Sequence, residues 1–134
     1  LLPVKKDQSD LDSVLSRLPN NYQELFFTGF LGGRRDHEYS NLLSVHRYLE
    51  ACGDKVIGAS DQEVLLLKDL SYTFSYKGFF SLFNIGSLQE LCIKGDVDYA
   101  YAGKIEKFTS HGLSNQASGE VRLNVKGIAV LFKS

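Results

Sequence analysis

The chain has 134 residues and a formal net charge of −1, and 43% of its residues are hydrophobic. This length and composition are typical of one folded domain with a buried core, and they exclude a disordered chain. Its apolar runs are shorter than the roughly 18 residues of a membrane-spanning helix. Two cysteines, Cys52 and Cys92, are too few for a disulfide-built secreted scaffold.

The chain is predicted to divide into a short extended N-terminal segment, residues 1–8, and a single α+β domain over residues 9–134. Ser9 is a suitable helix N-cap, and apolar residues follow it at helical spacing until Pro19 ends the segment. This spacing predicts a first amphipathic helix, with the apolar stripe Leu11, Val14, Leu15 and Leu18.

A second set of elements follows between Tyr22 and residue 61. The segment from Tyr22 to Leu31 is short and aromatic and contains a threonine-glycine step, so it is predicted as a strand. Asp36 offers a cap for a second helix, which is predicted to run to about Cys52 because a glycine follows there. Residues 54–61 are predicted as a loop.

The second half of the chain alternates apolar and polar residues, which is typical of strands that bury one face. Three long strands are predicted near residues 63–83, 89–108 and 119–133. The predicted fold class is therefore α+β: a twisted antiparallel sheet of three to five strands, with the two helices of the N-terminal half packed against it.

Three positions in these strands draw attention. Lys68 is the one charged residue in the apolar even-numbered series from Val64 to Leu82. Tyr99 is in phase with the apolar odd-numbered residues of its strand and is therefore predicted to lie in the core. At Gly127 the apolar positions of the last strand change phase, which indicates a β-bulge.

Residues that could carry catalysis or bind a metal are few. The histidines His37, His46 and His111 do not pair with Cys, Asp or Glu at ligand spacing, and neither cysteine lies in a C-x-x-C pair. Cys52 falls at a predicted helix C-terminus, where the negative end of the helix dipole disfavours a thiolate. We therefore expect no catalytic residues, no metal site and no cofactor, and we interpret the chain as a protein that is not an enzyme.

The connection from Gly29 to Arg35 is rich in glycine but lacks the spacing of either common phosphate-binding motif. Arg34 and Arg35 form the densest basic pair in the middle of the chain, and arginine suits phosphate. The pair is a candidate for binding lipid headgroups or nucleic acid. The alternative is a solvated turn between a strand and a helix.

Several strings of the sequence resemble the matrix proteins of rhabdoviruses. The string from Tyr22 to Thr28 is similar to the aromatic first strand of that family's globular domain, and Gly33–Asp36 stands in the place of its arginine-containing turn. The string from Phe83 to Gly86 resembles one that precedes a long alternating strand in the animal rhabdovirus proteins. The chain departs from the family pattern in having no Pro-Pro-x-Tyr motif and no tryptophan.

The resemblance implies a non-enzymatic viral matrix protein that self-associates and links the nucleocapsid to the membrane during virion assembly. The implied partners are further copies of the chain, the viral nucleoprotein–RNA complex and an anionic membrane surface. The implied locations are the virion and the host cytoplasm, at the periphery of membranes.

Charge and apolarity select the candidate residues for these roles: basic side chains for the membrane, and the apolar, proline-containing N-terminal segment for self-association. The candidates for membrane binding are Lys5, Lys6, Arg34 and Arg35. The candidates for self-association are Leu1, Leu2, Pro3 and Val4. Two alternative functions stay open: a protein-interaction module without a membrane role, and a carrier that holds a small apolar ligand between sheet and helix.

Overall fold

The computed structural model describes residues 24–26, 31–53, 57–61, 63–112 and 114–134. Within these ranges the elements are, in chain order, β1 Glu24–Phe26, α1 Arg35–Ala51, β2 Gly58–Asp61, β3 Val64–Phe83, β4 Leu88–Val97, β5 Tyr101–Gly103 and β6 Asn115–Lys133. The six strands form one sheet in the order β1-β2-β3-β6-β4-β5. The pair β1–β2 is parallel, and the other neighbouring pairs are antiparallel.

This architecture corrects the predicted fold class of an antiparallel sheet of three to five strands with two packed helices. The sheet has six strands, five of them joined by antiparallel pairing, and the described residues contain one helix. The predicted first helix lies outside the described residues. The predicted loop contains β2, because Gly58–Asp61 is paired on both edges although it lacks the alternating β-branched residues of a typical strand.

The helix α1 confirms the second predicted helix. Asp36 and Glu38 lie near its N-terminus, where acidic side chains favour the helix dipole. It ends before Gly53, whose φ of 60° lies in the left-handed region that favours glycine. No helix within the described ranges combines the length and the apolar character needed to cross a membrane.

The strands β3 and β6 are long, with 20 and 19 residues, and each takes part in two layers. The start of β3 pairs with the end of β6, where Val64 lies opposite Phe132. The end of β3 pairs with the other edge of the same β6 segment, where Phe83 lies opposite Val130. The sheet therefore folds over on itself, and the middle of β3 pairs with the part of β6 that lies next to β4.

The bend between the two layers lies at Asp69 and Gly127, where the register of the β3–β6 pair shifts. The side-chain oxygen Oδ1 of Asp69 accepts a hydrogen bond of 2.7 Å from the Gly127 amide. Gly127 has a φ of 92°, and a Cβ at this position would lie 2.0 Å from the Ser87 carbonyl oxygen. Only glycine fits there, and the register shift confirms the bulge that the sequence predicts.

Two hydrophobic clusters lie on opposite faces of the bent sheet. We call the first the inter-sheet cluster, since it fills the space between the two layers; its members include Leu65, Leu67, Phe80, Leu82, Leu91, Ile93, Val121, Leu123, Val125 and Leu131. We call the second the helix-side cluster, since α1 covers it; its members are Val45, Leu49, Cys52, Ala59, Leu66, Ile128 and Val130. Both faces of the sheet are covered where α1 packs, so consecutive residues of β3 are buried there.

The buried Lys68 joins strand β3 to the helix. Its amine donates hydrogen bonds to the carbonyl oxygens of Leu49 and Gly53, at the C-terminal end of α1. A positive charge is favourable at the negative end of a helix dipole, and the last turn of α1 contains no basic residue of its own. Lys68, the one charged residue in the apolar series of β3, therefore caps the C-terminal end of α1.

The predicted strand over residues 89–108 is a hairpin instead. β4 ends at Val97, and β5 returns along its edge, with Leu91 opposite Gly103. Tyr99 lies in the turn and is 69% exposed, so its predicted place in the core is wrong. The Asn115 side chain holds this turn, since its Oδ1 accepts from the Tyr99 amide at 3.1 Å and its Nδ2 donates to the Tyr99 carbonyl at 2.7 Å.

Candidate functional site

The junction between the glycine loop and α1 presents backbone donors to solvent. Gly32 and Gly33 have φ values of 97° and 78°, which turn the chain sharply into the helix. Arg34 occupies the N-cap position and makes no side-chain cap. Within the part of the chain that the structure describes, the amides of Gly33, Arg34 and Arg35 have no hydrogen-bond acceptor. The first turn of a helix is a place where such free amides attract anions.

Two carboxylates hold the residues just before these free amides. The side chain of Asp61, at the end of β2, accepts a hydrogen bond of 3.0 Å from the Leu31 amide through Oδ2. The side chain of Glu38, on α1, accepts a hydrogen bond of 3.0 Å from the Gly32 amide through Oε1. Asp61 is only 4% exposed. The turn is therefore attached to both the sheet and the helix.

The two arginines of the junction differ in their surroundings. The guanidinium of Arg34 makes a bidentate pair with Asp36, with Nη2–Oδ2 and Nε–Oδ1 distances of 2.8 and 3.1 Å. This pairing lowers the pKa of Asp36 and raises the pKa of Arg34. Arg35 makes no ion pair with any described residue and lines the adjacent cleft. Of the two, Arg35 is therefore the cation that is available to a ligand.

The cleft beside the junction has a volume of about 460 Å³ and lies between α1, the end of β2 and the start of β3. Its apolar wall consists of Leu31, Leu42, Val64 and Phe132, and its polar lining includes Arg35, Glu38, Tyr39, Asp61 and Glu63. An apolar wall with a few converging charged groups is the usual composition of a small-molecule site. The described residues contain no group of three or more His, Cys, Asp or Glu that could hold a metal ion.

Two further grooves flank β4, with volumes of about 540 and 590 Å³. They share Glu90 and Lys126, which lie opposite each other on neighbouring strands. These grooves are larger than the cleft, but most of their lining residues belong to paired strands of the sheet. The junction is the stronger candidate site because its amides and Arg35 have no partner among the described residues.

Of the residues that the sequence singles out, the structure places Arg34 and Arg35 together at the exposed start of α1. The other candidates, Lys5, Lys6 and the segment Leu1–Val4, lie outside the described residues. Sequence reasoning missed Glu38 and Asp61. Glu38 could have been found from the sequence, because acidic residues are favoured in the first turn of a helix. Asp61 could not, because it contacts the loop from 30 residues away and no local sequence pattern predicts that contact.

The fold is similar to those of several solved structures of thiamine pyrophosphokinases. The Bacillus subtilis enzyme is 21% identical, with a TM-score of 0.70 over 97% of this chain and 64% of that structure. A thiamin pyrophosphokinase family protein from Enterococcus faecalis is 18% identical, with a TM-score of 0.65 over 99% of this chain and 67% of that structure. The Candida albicans enzyme is 16% identical, with a TM-score of 0.58 over 89% of this chain and 48% of that structure.

These identities are low, so the likeness establishes the fold. The chain spans less than two thirds of the length of the Bacillus subtilis structure. No protein-family model matches the chain, and no curated protein matches it.

This likeness overturns the identification made from the sequence. The resemblance to rhabdovirus matrix proteins is wrong, and so are the viral matrix function and the classification as a protein that is not an enzyme. The partners predicted from it, further copies of the chain, nucleoprotein–RNA and an anionic membrane, are corrected with it. The error has a physical cause: an aromatic strand, a glycine turn and an amphipathic helix occur in order in many folds, and the matching strings are short.

Proposed function

We propose that this chain is part of an enzyme of the thiamine pyrophosphokinase type, which transfers a pyrophosphoryl group to the hydroxyl group of thiamine. The observation that carries this proposal is the fold likeness to pyrophosphokinases along almost the whole chain. The proposal concerns the part of the active site that this chain contains, because the chain spans only part of those enzymes.

The loop–helix junction supports a role in binding phosphate groups. Free amides at a helix N-terminus and an unpaired arginine are the donors that phosphate oxygens prefer. Gly33 and Arg35 supply these donors on the surface of the molecule, at the edge of the cleft. In phosphoryl transfer the protein contributes mainly by positioning the phosphates and stabilising their negative charge. We assign this contribution to the junction.

The pair formed by Arg34 and Asp36 has a different role in this proposal. The lowered pKa of Asp36 keeps its carboxylate ionised and bound to the Arg34 guanidinium. The same carboxylate oxygen that accepts from Arg34 Nε also accepts from the His37 amide, at 3.0 Å. This pair therefore orders the first turn of α1, while Arg35 contacts the phosphates.

The test is a binding and turnover measurement with matched arginine variants. The purified chain is titrated with inorganic pyrophosphate by calorimetry, and it is incubated with thiamine, ATP and Mg²⁺ while thiamine pyrophosphate is quantified. We expect Arg35→Ala to weaken pyrophosphate binding by about tenfold, the loss of one charged hydrogen-bonding partner.

Arg47→Ala is the control, since Arg47 is an exposed arginine near the other end of the same helix. We expect it to bind pyrophosphate like the unmodified chain. A chain that binds no pyrophosphate, or an equal loss in the Arg35 and Arg47 variants, would contradict the proposed function.

A further inference from the structure

The turn between β3 and β4, residues 84–87, lies against the C-terminal half of α1. The Ser87 hydroxyl donates a hydrogen bond to Oε2 of Glu50, in the last turn of the helix. Gly86 lies beside the ring of His46, since a Cβ at Gly86 would be 3.9 Å from Cε1 of that ring. Ile85 adds an apolar contact with the helix-side cluster. Three successive residues of the turn thus contact the helix or the cluster that it covers.

The turn keeps its own shape through the side chain of Asn84. Its Oδ1 accepts hydrogen bonds from the Gly86 and Leu88 amides, at 2.9 and 3.1 Å. Its Nδ2 donates to the Ile105 carbonyl at 2.7 Å. These bonds join the turn to itself and to the rest of the sheet, and none of them involves α1. The turn can therefore separate from the helix as a unit.

The imidazole of His46 has one nitrogen that lacks a partner. The side chain is 6% exposed, its Nδ1 is 3.6 Å from Oε1 of Glu50, and its Nε2 has no hydrogen-bond partner among the described residues. When the neutral ring carries its proton on Nδ1, Nε2 is an acceptor, whereas in the protonated ring Nε2 is a donor. A buried charged donor without an acceptor is costly, so protonation favours a conformation in which the ring reaches water.

The carboxylate of Glu50 opposes this effect. It attracts an imidazolium, but its side chain is 47% exposed, so solvent and salt screen the attraction. Burial is the larger influence and lowers the pKa of His46, and Glu50 offsets this only in part. The balance therefore favours release of the ring when it is protonated.

The other elements that pack here do not change this balance. Residues 84–87 of the turn and residues 127–132 of β6 contain no ionisable side chain. Among the described residues, the charge that acts on the pKa of His46 is that of Glu50. The other charged side chains close to α1 bond to backbone groups or are exposed: Lys68, Asp61 and Arg47.

We propose that His46, Glu50 and Ser87 form a pH-sensitive latch that holds the β3–β4 turn on α1, and that protonation of His46 releases the turn. When the protonated ring moves toward water, Gly86 loses its contact with the ring. The Glu50 carboxylate follows the imidazolium and no longer accepts from Ser87. The turn also lines one of the grooves beside β4, so its release changes the wall of that groove. The latch goes beyond the proposed function, and its test needs no ligand.

The experiment follows the chain by nuclear magnetic resonance from about pH 8 to about pH 5, a range that includes the ordinary pKa of histidine and stays above that of carboxylates. The Overhauser contact between His46 Hε1 and the Gly86 Hα protons reports the latch, and the amide signals of residues 117–125 in β6 report the sheet. We expect the contact at the high pH and its loss as the His46 imidazole titrates. The β6 amide signals should keep their positions throughout.

Three variants test the parts of the latch. Ser87→Ala removes the donor to Glu50, so the contact between His46 and Gly86 should be lost at a higher pH than in the unmodified chain. Ser75→Ala, at an exposed position of β3, is the matched control and should lose the contact at the same pH as the unmodified chain. In His46→Gln, which has no titrating ring, the amide signals of Gly86 and Ser87 should not change over this pH range.

Four results would overturn the inference. The first is a contact between His46 and Gly86 that persists to the lowest pH, and the second is its loss together with the native β6 signals, which would mean unfolding of the sheet. The third is a pH-dependent change of the Gly86 and Ser87 signals in His46→Gln, and the fourth is equal behaviour of Ser87→Ala and Ser75→Ala. The two serine variants provide a result even if His46→Gln does not fold. None of these outcomes depends on pyrophosphate, so the proposed function is tested separately.

Discussion

The inter-sheet cluster and the region around α1 share residues of β3 and β6 but differ in how they use polar groups. The inter-sheet cluster consists of apolar side chains that pack between the layers of the bent sheet. The helix side also buries His46, Asp61 and Lys68, each of which hydrogen-bonds or faces a polar partner on another residue. The first region therefore depends mainly on packing, although the buried Asn84 donates hydrogen bonds to the Leu88 and Ile105 carbonyls. The second region combines packing with polar contacts that also shape the candidate site.

This difference indicates a division of roles within the fold. Apolar packing is insensitive to pH and tolerates no loss of volume. Buried polar contacts add little net stability when they are satisfied, but they specify geometry and are costly to break. The loop and helix of the candidate site lie on the helix side, where such polar contacts are found, as expected for a region whose geometry must be specified. The following predictions test this comparison.

The largest expected effect is in the inter-sheet cluster. Phe80 is 1% exposed and packs edge-on against Phe74, with ring centroids 6.0 Å apart. Phe80→Ala should lower the free energy of unfolding by about 3–5 kcal/mol, because it removes buried apolar area and leaves a cavity. Urea denaturation measures this loss.

The neighbouring Phe79 provides a matched control, since it lies on the same strand and is 51% exposed. Phe79→Ala should change the free energy of unfolding by about 0.5 kcal/mol or less. Equal losses in the two variants would mean that the alternation of β3 does not decide which side chains stabilise the domain.

A smaller effect is expected from the lysine that caps α1 from the sheet. Lys68→Met keeps most of the apolar stem but leaves the Leu49 and Gly53 carbonyls without this donor. We expect a loss of about 1–3 kcal/mol in the free energy of unfolding, as for other buried hydrogen-bonding groups left unsatisfied. Lys77→Met, at an exposed position of the same strand, should be nearly neutral. A stabilised Lys68→Met variant would show that the helix side, too, is governed by apolar packing.

The smallest effect is a dependence of stability on pH that arises on the helix side. His46 is buried, with Nδ1 3.6 Å from Oε1 of Glu50, and Ser87 donates a hydrogen bond to the same carboxylate group. Burial lowers the pKa of His46 below its ordinary value of 6.5, and the nearby Glu50 partly offsets this. The folded state therefore binds fewer protons than the unfolded state just below pH 6.5. The free energy of unfolding should then decrease as the pH falls from about 6.5 through the folded pKa. Above about pH 6.5 this histidine should make no contribution to the pH dependence.

Urea denaturation at a series of pH values measures this slope. His46→Gln should reduce the slope, because it removes the buried titrating group. Identical slopes in the unmodified chain and in the His46 variant would locate the pH dependence elsewhere. Phe80→Ala should shift the whole curve downward without changing its shape, which separates the two regions.

The sequence predicts much of the fold because several of its signals are local. A helix needs a periodic apolar stripe and suitable ends, so α1 is predicted within two residues of its observed bounds. The bulge at Gly127 is also predicted, since a change of phase at a glycine within a strand is typical of a bulge. The hairpin of β4 and β5 is not predicted, because Tyr99 continues the apolar alternation through the turn while the Asn115 side chain holds that turn from a distant strand.

The candidate site is predicted only in part for a related reason. Arg34 and Arg35 are adjacent and basic, so composition alone marks them. The carboxylates that hold the turn, Asp61 and Glu38, are ordinary acidic residues in the sequence, and only the parallel pairing of β1 with β2 brings Asp61 to the loop. The resemblance to matrix proteins was wrong because short strings report local composition and carry no information on how the sheet closes.

By itself, the sequence determined the helix α1, the long alternating strands and the glycine at which they bend. The patterns that predict these features are local in the chain, although Gly127 is also required by its contacts with the distant Asp69 and Ser87. The tertiary structure alone decided that β3 pairs with both edges of β6, that Lys68 caps the helix and that Asp61 reaches the Leu31 amide. Such contacts join residues that are far apart in the chain, and a buried polar group is stable only where its distant partner completes the hydrogen bond.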